Sequence, residues 1–170
     1  MIGYPLFKRA AALMATLALA ACEPLQPIAT RATPAEIQRA IADTADAPLA
    51  MVHVWATWCD PCREEFPEVV KVVKRFPALD VILVSADDPA ETAAVEAFLS
   101  EHESPAGSLI STELNEAFIT ALSPNWAGAL PATFFFADGK LVSEWEGQRT
   151  FEQYERTIVT LLKNLKGDPP

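Results

Sequence analysis

The residues with the clearest capacity for chemistry are two cysteines, Cys59 and Cys62, separated by two residues. An apolar strand is predicted over 51–55, just before them, and a helix is predicted over 61–76. Cys59 therefore stands at the N-terminus of the helix, where unpaired backbone N–H groups and the helix dipole stabilise a thiolate. This arrangement predicts thiol–disulfide exchange, in which Cys59 attacks a disulfide and Cys62 resolves the mixed disulfide.

Two other uses of a Cys-x-x-Cys pair are less consistent with the chain. A structural zinc ion needs four ligands, and the remaining candidates are only Cys22, His53 and His102. A disulfide that closes so short a loop removes little entropy from the unfolded chain, which disfavours a purely structural bond. We therefore prefer the redox interpretation, and we predict neither a metal site nor a cofactor.

The segment from Trp55 to Pro67, Trp-Ala-Thr-Trp-Cys-Asp-Pro-Cys-Arg-Glu-Glu-Phe-Pro, resembles the active-site segment of the thioredoxin superfamily. Within that superfamily it is most similar to the TlpA-like disulfide reductases of bacterial envelopes, and a looser similarity extends from about residue 34 to about residue 166. The resemblance implies a thioredoxin-like α/β fold, with a central mixed sheet flanked by helices and a TlpA-like αβ insertion. It also implies a Cys59–Cys62 disulfide in the oxidised protein.

The same resemblance assigns a role to a proline far along the chain. Residues 128–134, Gly-Ala-Leu-Pro-Ala-Thr-Phe, are similar to the family's Gly-x-Pro-x-Thr-Phe, with one more residue between glycine and proline. Pro131 takes the place of the family's cis-proline, so that Leu130 presents its backbone beside Cys59, where a substrate strand can pair with it. The alternative is a trans-proline that only opens a strand. The predicted substrate-binding residues are Trp58, Asp60, Pro61 and Leu130.

Two ionisable residues near the cysteines are candidates for proton transfer. His53 lies six residues before Cys59, at a strand position where thioredoxins carry a buried acid and TlpA-like proteins often carry an amide. It is either a proton acceptor near neutral pH or a neutral packing residue. Glu65 matches an acid of the cytochrome-maturation branch of the family, or it is a solvated helix carboxylate. The predicted catalytic residues are Cys59, Cys62, Pro131, Glu65 and His53.

The first 21 residues have the pattern of an export signal. Lys8 and Arg9 precede an apolar stretch over 10–21, which is short for a membrane span. The sequence Leu-Ala-Ala-Cys that ends at Cys22 resembles the lipobox of bacterial lipoproteins, which implies cleavage before Cys22 and lipidation of that cysteine. An ordinary secretory signal is the alternative. By family analogy, Glu23 after the cysteine slightly favours the outer over the inner membrane.

Charge and composition predict three segments. They are a lipoprotein-type signal peptide over 1–21, a proline-containing tether over 22–33 and one thioredoxin-like domain over 34–166. Two of the 13 basic side chains and none of the 23 acidic ones lie in the signal segment, so 11 basic and 23 acidic side chains remain, a formal net charge of −12. So acidic a surface repels phosphate backbones and argues against nucleic-acid binding.

The remainder of the domain is predicted to alternate strands and helices. A first helix follows Thr33 as its N-cap and ends near Thr44. Asp138-Gly139 supplies the positive φ angles of a two-residue hairpin turn. The other predicted elements are strands at 80–85, 109–110, 132–137 and 140–145 and helices at 88–102, 112–122 and 151–165.

Three functions are compatible with these features. The leading one is a membrane-tethered periplasmic reductase of protein disulfides that takes electrons from a membrane-embedded thiol reductant, and the resemblance implies a role in cytochrome c maturation. The second is a disulfide-forming oxidase. The third is a redox-switched copper-handling protein with Cys59 and Cys62 as soft ligands, although no methionine or histidine lies beside the pair to complete the site. A peroxidase is disfavoured because the chain lacks an isolated peroxidatic cysteine.

Overall fold

The computed structural model describes residues 28–167, which form one mixed β-sheet with helices on both faces. Two short 3₁₀-helices, Thr44–Asp46 and Pro89–Glu91, connect larger elements. The strands are β1 (Ala29–Ala32), β2 (Ala50–Trp55), β3 (Asp80–Ser85), β4 (Ser108–Ser111), β5 (Ala132–Ala137) and β6 (Lys140–Glu146). The helices are α1 (Pro34–Asp43), α2 (Asp60–Arg75), α3 (Thr92–Glu101), α4 (Glu116–Leu122) and α5 (Phe151–Leu165).

The strand order is β1-β4-β3-β2-β5-β6. The first four of these strands run parallel to one another, whereas β5 is antiparallel to β2 and β6 is antiparallel to β5. All six residues of β2 are buried, as expected of a central strand covered on both faces. This is the predicted thioredoxin-like fold, which is confirmed, and it places the segment after β2 between the neighbouring strands β3 and β5.

The two faces of the sheet have separate apolar cores. Alternate residues of β2 point to opposite faces. Met51 and Trp55 join the core beneath α2, α3 and α5, whereas Val52 and Val54 join the core beneath α1 and α4. The same alternation places His53 on the face of Met51 and Trp55, the face that α2 covers.

Local sequence signals explain where several elements begin. The Thr33 hydroxyl accepts a hydrogen bond from the Glu36 backbone N–H, and the Glu36 carboxylate accepts one from the Thr33 N–H, a complete capping box. In the β5–β6 turn, Asp138 and Gly139 have φ values of 49° and 69°, as the hairpin prediction requires.

Three predicted boundaries differ from the structure. Ala29–Ala32 were assigned to the tether but form β1, because these residues pair with β4, which is distant in sequence. The helix predicted from 112 starts only at Glu116, where the Asn115 side chain caps it. The helix predicted from 88 begins with a 3₁₀ turn before α3.

The predicted signal peptide over 1–21 and the predicted lipidation site Cys22 lie outside the described residues, as does the first half of the predicted tether, residues 22–27. Within 28–167, none of the helices combines the length and the apolar character needed to cross a membrane.

Candidate active site

The two cysteines lie at the start of α2 and are joined by a disulfide. Cys59 is the N-cap residue, and its Sγ accepts a hydrogen bond of 3.2 Å from the Cys62 backbone N–H. Cys62 is completely buried, whereas Cys59 retains 6 % exposure. An incoming thiolate can therefore reach Cys59 from solvent more readily than Cys62.

The surface around Cys59 includes the residues predicted to bind substrate. Trp58 is 64 % exposed, which is unusual for so large an aromatic side chain, and Asp60 and Pro61 are also exposed. The Leu130–Pro131 bond is cis, and the half-buried Leu130 packs against the apolar cluster that contains both cysteines. The structure thus brings these predicted residues to the same end of the sheet.

Asp87 holds the loop before Cys59, and the sequence analysis did not identify it. This carboxylate is 1 % exposed at the end of β3. It accepts hydrogen bonds from the Thr57 backbone N–H (3.0 Å), the Thr57 hydroxyl and the Ser85 hydroxyl (2.7 Å). These bonds fix the backbone two residues before Cys59 to the neighbouring strand. The signal available in the sequence was an acid directly after a buried parallel strand.

The loop between β6 and α5 also contacts the redox helix, and its role was not predicted. The Gln148 side-chain amide donates to the Pro61 carbonyl (2.8 Å) and to the Glu64 carboxylate (3.0 Å). The Gly147 N–H donates to the carbonyl of Pro131 (2.7 Å), and Gly147 has a φ of 81°, which favours glycine. This loop therefore joins the helix that carries the cysteines to the cis-proline segment.

Behind the disulfide, the two ionisable residues predicted from the sequence lie in one buried hydrogen-bonded cluster. His53 Nδ1 is 3.0 Å from the Thr133 hydroxyl, and that hydroxyl is 3.0 Å from the Tyr154 hydroxyl. Tyr154 donates to Glu65 Oε1 at 2.9 Å, and the Arg149 backbone N–H donates to the same oxygen at 2.8 Å. Glu65 Oε2 is 3.8 Å from His53 Nε2. Glu65 is not the solvated carboxylate considered above, because it is 2 % exposed.

Burial changes the acid–base properties of this cluster. It lowers the pKa of His53 to about 3, so the imidazole is neutral at pH 7. Burial also raises the pKa of Glu65 to about 7, against the opposing hydrogen bonds from Tyr154 and the Arg149 backbone. The pKa of Tyr154 is raised well above its ordinary value, first by burial and then by the neighbouring Glu65 charge. Glu65 is therefore the group that changes charge near neutral pH.

The described residues contain no cluster of three or more histidine, cysteine, aspartate or glutamate side chains arranged to hold a metal ion. A surface cavity of about 450 Å³ lies beside the start of α2, lined by Asp60, Arg63, Glu64, Glu101 and His102. A second cavity, of about 540 Å³, has Glu65 and Arg149 in its lining. Glu65 thus lies beside this surface cavity, although its side chain is completely buried.

Comparisons with known proteins agree with this geometry. Residues 32–144 match the AhpC/TSA family. The chain is 32 % identical over 115 residues to a thiol:disulfide interchange protein DsbE homolog of Paracoccus denitrificans, covering 66 % of this chain and 59 % of that protein. It is 28 % identical over 113 residues to the thiol-disulfide oxidoreductase ResA of Bacillus subtilis, covering 66 % and 60 %.

Among solved structures, the fold is similar to a thioredoxin-family thiol:disulfide interchange protein from Chlorobium tepidum. The TM-score is 0.60 at 20 % identity, covering 71 % of this chain and 84 % of that one. The matched region of the chain spans about three fifths of the length of the curated relatives. By its sequence match and its fold, the chain belongs to the AhpC/TSA family of the thioredoxin superfamily.

Proposed function

We propose that this protein is a thiol–disulfide oxidoreductase that reduces disulfides in other proteins. The observation that carries this proposal is the Cys59–Cys62 disulfide at the N-terminus of α2, in which Cys59 retains 6 % exposure and Cys62 is completely buried. The exposed Trp58 and the adjacent Leu130 provide an apolar surface on which an extended substrate segment can lie. The relatives from Paracoccus denitrificans and Bacillus subtilis are a thiol:disulfide interchange protein homolog and a thiol-disulfide oxidoreductase, which supports the same chemistry.

The reaction begins with the reduced enzyme. The Cys59 thiolate attacks one sulfur of the substrate disulfide, which forms a mixed disulfide and releases the other substrate sulfur as a thiolate. Cys62 then loses its proton and attacks Cys59 Sγ, which releases the second substrate thiolate and forms the Cys59–Cys62 disulfide. Two electrons have passed to the substrate, and a thiol donor must return them by reducing the enzyme disulfide.

Glu65 is better suited than His53 to accept the proton of Cys62. Glu65 lies three residues after Cys62 on α2, so both side chains project from the same face of the helix. A carboxyl group with a pKa of about 7 is partly ionised at neutral pH, as a general base requires, whereas an imidazole with a pKa of about 3 binds protons weakly. His53 then acts on the reaction through Glu65.

We further propose that the enzyme is anchored in the cell envelope by lipid on Cys22 and faces the periplasm. The basic residues Lys8 and Arg9, the apolar stretch and the lipobox-like sequence before Cys22 support this placement. Its electron donor is then a membrane-embedded thiol reductant, and the family resemblance points to cytochrome c maturation as the pathway. Because Ala29–Ala32 belong to the sheet, the proposed tether extends over 22–28.

The direction of exchange is tested by the reduction potential of the Cys59–Cys62 couple, measured by equilibration with glutathione or dithiothreitol buffers. A reductase should have a potential of about −250 mV or lower. A value near −120 mV, typical of strong oxidants, would contradict the reductase proposal and support the oxidase instead.

The roles of the two sulfurs and the anchor are tested separately. Cys62→Ser should accumulate mixed disulfides with substrates, since attack by Cys59 continues while resolution cannot; accumulation with Cys59→Ser instead would reverse the assignment.

Intact-mass spectrometry of the membrane-derived protein should find Cys22 at the N-terminus with lipid attached. An unmodified Cys22 would exclude the anchor without affecting the redox chemistry.

A further inference from the structure

Four buried polar side chains behind the disulfide come from two strands, β2 and β5, and two helices, α2 and α5, yet they form a closed circuit. His53 contacts Thr133, Thr133 contacts Tyr154, Tyr154 donates to Glu65, and Glu65 faces His53 again. None of the four is more than 2 % exposed. A longer contact of 3.4 Å crosses the circuit between the Tyr154 hydroxyl and His53 Nδ1.

The side of the circuit between Glu65 Oε2 and His53 Nε2 measures 3.8 Å, and neither atom has a hydrogen-bond partner among the described residues. A buried polar atom without a partner is costly, so two such atoms that face each other favour a shared proton. A small movement of either side chain brings them within hydrogen-bonding distance.

Counting protons shows which charge state closes the circuit. With Glu65 protonated, its Oε2–H donates to Nε2, the imidazole Nδ1–H donates to Thr133, Thr133 donates to Tyr154, and Tyr154 donates to Oε1. Four protons then serve four contacts. With Glu65 ionised, the imidazole must carry its proton on Nε2 and Thr133 must donate to Nδ1. The contact between Thr133 and Tyr154 is then left without a proton.

We propose that His53, Thr133, Tyr154 and Glu65 act as one proton-accepting unit, a ring of hydrogen bonds that the proton from Cys62 completes. During resolution the S–H bond of Cys62 breaks and its electron pair forms the bond to Cys59 Sγ, while the bond between Cys59 Sγ and the substrate sulfur breaks and the substrate leaves as a thiolate. The proton ends as an O–H on Glu65. Thr133 and Tyr154 are positioning residues, since they orient the base and touch no reacting atom. This inference rests on the proposed exchange reaction.

The surroundings of Glu65 contain few other groups that could replace this ring. The charged or titratable groups that face it are His53 on β2, Tyr154 on α5, Cys62 one turn earlier on α2 and Arg149 in the loop before α5. The guanidinium of Arg149 lowers the pKa of Glu65 only as the smallest of the opposing effects.

The test is a matched pair of substitutions at Thr133, which is 1 % exposed in the middle of the sheet. Thr133→Val keeps the shape but removes the hydroxyl, whereas Thr133→Ser keeps the hydroxyl. Without the hydroxyl, the acid form of Glu65 loses two hydrogen bonds, the one from Nδ1–H to Thr133 and the one from Thr133 to Tyr154. The ionised form loses only one, from Thr133 to Nδ1, so removal of the hydroxyl costs the acid form more. The titration midpoint of Glu65 should therefore fall by roughly half to one pH unit in Thr133→Val and stay at the wild-type value in Thr133→Ser.

The midpoint is measured by ¹³C NMR of labelled glutamate carboxyl groups in the oxidised, full-length protein, with Glu65→Gln used to assign the signal. This readout needs no disulfide exchange, so it stands even if the proposed function fails. Equal Glu65 titration midpoints in Thr133→Val and wild type, or equal shifts of the midpoint in the Val and Ser variants, would contradict the proposed ring of hydrogen bonds.

A second measurement connects the ring to the reaction. The pH profile of the Cys62 resolution rate should move in the same direction as the Glu65 midpoint in Thr133→Val and return in Thr133→Ser. If the midpoint moves while the rate profile does not, Glu65 is not the acceptor of the Cys62 proton and the proposal is overturned at that step.

Discussion

The first turns of α1 and α2 satisfy the same physical requirement with different atoms. At α1, the Thr33 hydroxyl accepts the Glu36 N–H at 3.3 Å, and the Glu36 carboxylate returns a bond of 2.8 Å to the Thr33 N–H. At α2, Cys59 Sγ accepts the Cys62 N–H at 3.2 Å, and no acid returns the bond. Both helices thus have a side-chain acceptor for a backbone donor that lacks an intrahelical partner.

The difference lies in what the accepting atom can do next. The Thr33 hydroxyl is occupied in a reciprocal pair that only stabilises the helix. A sulfur in the same position receives the same electrostatic support, but it can ionise and exchange covalent bonds. The capping position of α2 therefore supports a thiolate with the same kind of backbone contact that stabilises α1, and the sulfur supplies the reactivity.

The largest expected effect comes from replacing the sulfur at α2 by oxygen. Cys59→Ser keeps a capping acceptor but removes the nucleophile, so disulfide reduction should fall to the rate of the uncatalysed reaction. The free energy of unfolding, compared with the reduced wild type, should change by less than about 1 kcal/mol. Insulin reduction and urea denaturation measure the two quantities. Residual turnover in Cys59→Ser would show that Cys62 can attack substrates alone.

The acids near the two helix starts should affect stability with opposite dependence on pH. Hydrogen bonds from Thr33 lower the pKa of the exposed Glu36, so its contribution is lost as the pH falls. Burial raises the pKa of Glu65 to about 7 from 4.5. Between these two values the native state binds more protons at Glu65 than the unfolded state does, so this contribution falls as the pH rises.

Glu65→Gln removes this titration. The free energy of unfolding of the variant, relative to that of wild type, should therefore increase by about 3 kcal/mol between pH 4 and pH 8. The contribution of His53, with a pKa lowered to about 3, changes in the opposite direction between pH 3 and 6.5 and is present in both proteins. Urea denaturation across this range measures the difference. A constant difference would show that Glu65 is ionised throughout.

A smaller effect should distinguish the two cysteines of α2. In the reduced protein, Cys59 is the capping residue near the surface, whereas Cys62 lies inside the first turn and is completely buried. A limiting amount of iodoacetamide should label Cys59 at least about tenfold more than Cys62. Peptide mass spectrometry gives the ratio. Equal labelling would mean that capping position confers no selectivity.

The smallest expected effect is at the unreactive cap. Thr33→Ala removes one side of the capping box and should lower the free energy of unfolding by about 1 kcal/mol, without changing the rate of disulfide reduction. Thr33→Ser is the matched control and should behave as wild type. A change in the exchange rate would show that α1 is coupled to the redox helix, which the separate apolar cores of the two faces do not suggest.

Strong local signals accounted for most of the fold. The order of strands and helices from α1 onward, the capping box at Thr33 and the turn at Asp138-Gly139 depend on neighbouring residues, and all were predicted. The strand β1 was not, because Ala-Thr-Arg-Ala has little strand preference of its own and forms a strand through its pairing with β4. The late start of α4 depends on the Asn115 cap, a local signal that was overlooked.

At the site, the residues within the cysteine motif were predictable, but their support was not. Tyr154 lies in the predicted last helix, yet nothing in its local sequence indicates that its hydroxyl meets Glu65, which is 89 positions away. Likewise, nothing in the local sequence indicates that the Gln148 side-chain amide bonds to the Pro61 carbonyl. Asp87 could have been suspected from its position after a parallel strand. Contacts between distant segments depend on the folded geometry, which local patterns do not specify.

The loop from Gly147 to Arg149 has a consequence for the kind of substrate this surface can accept. Because it bonds to both Pro61 and Pro131, the two walls that flank Cys59 are held at a fixed separation before any substrate arrives. Segments that are already held in place lose less conformational freedom when a partner arrives, so most of the adjustment on binding falls on the incoming chain.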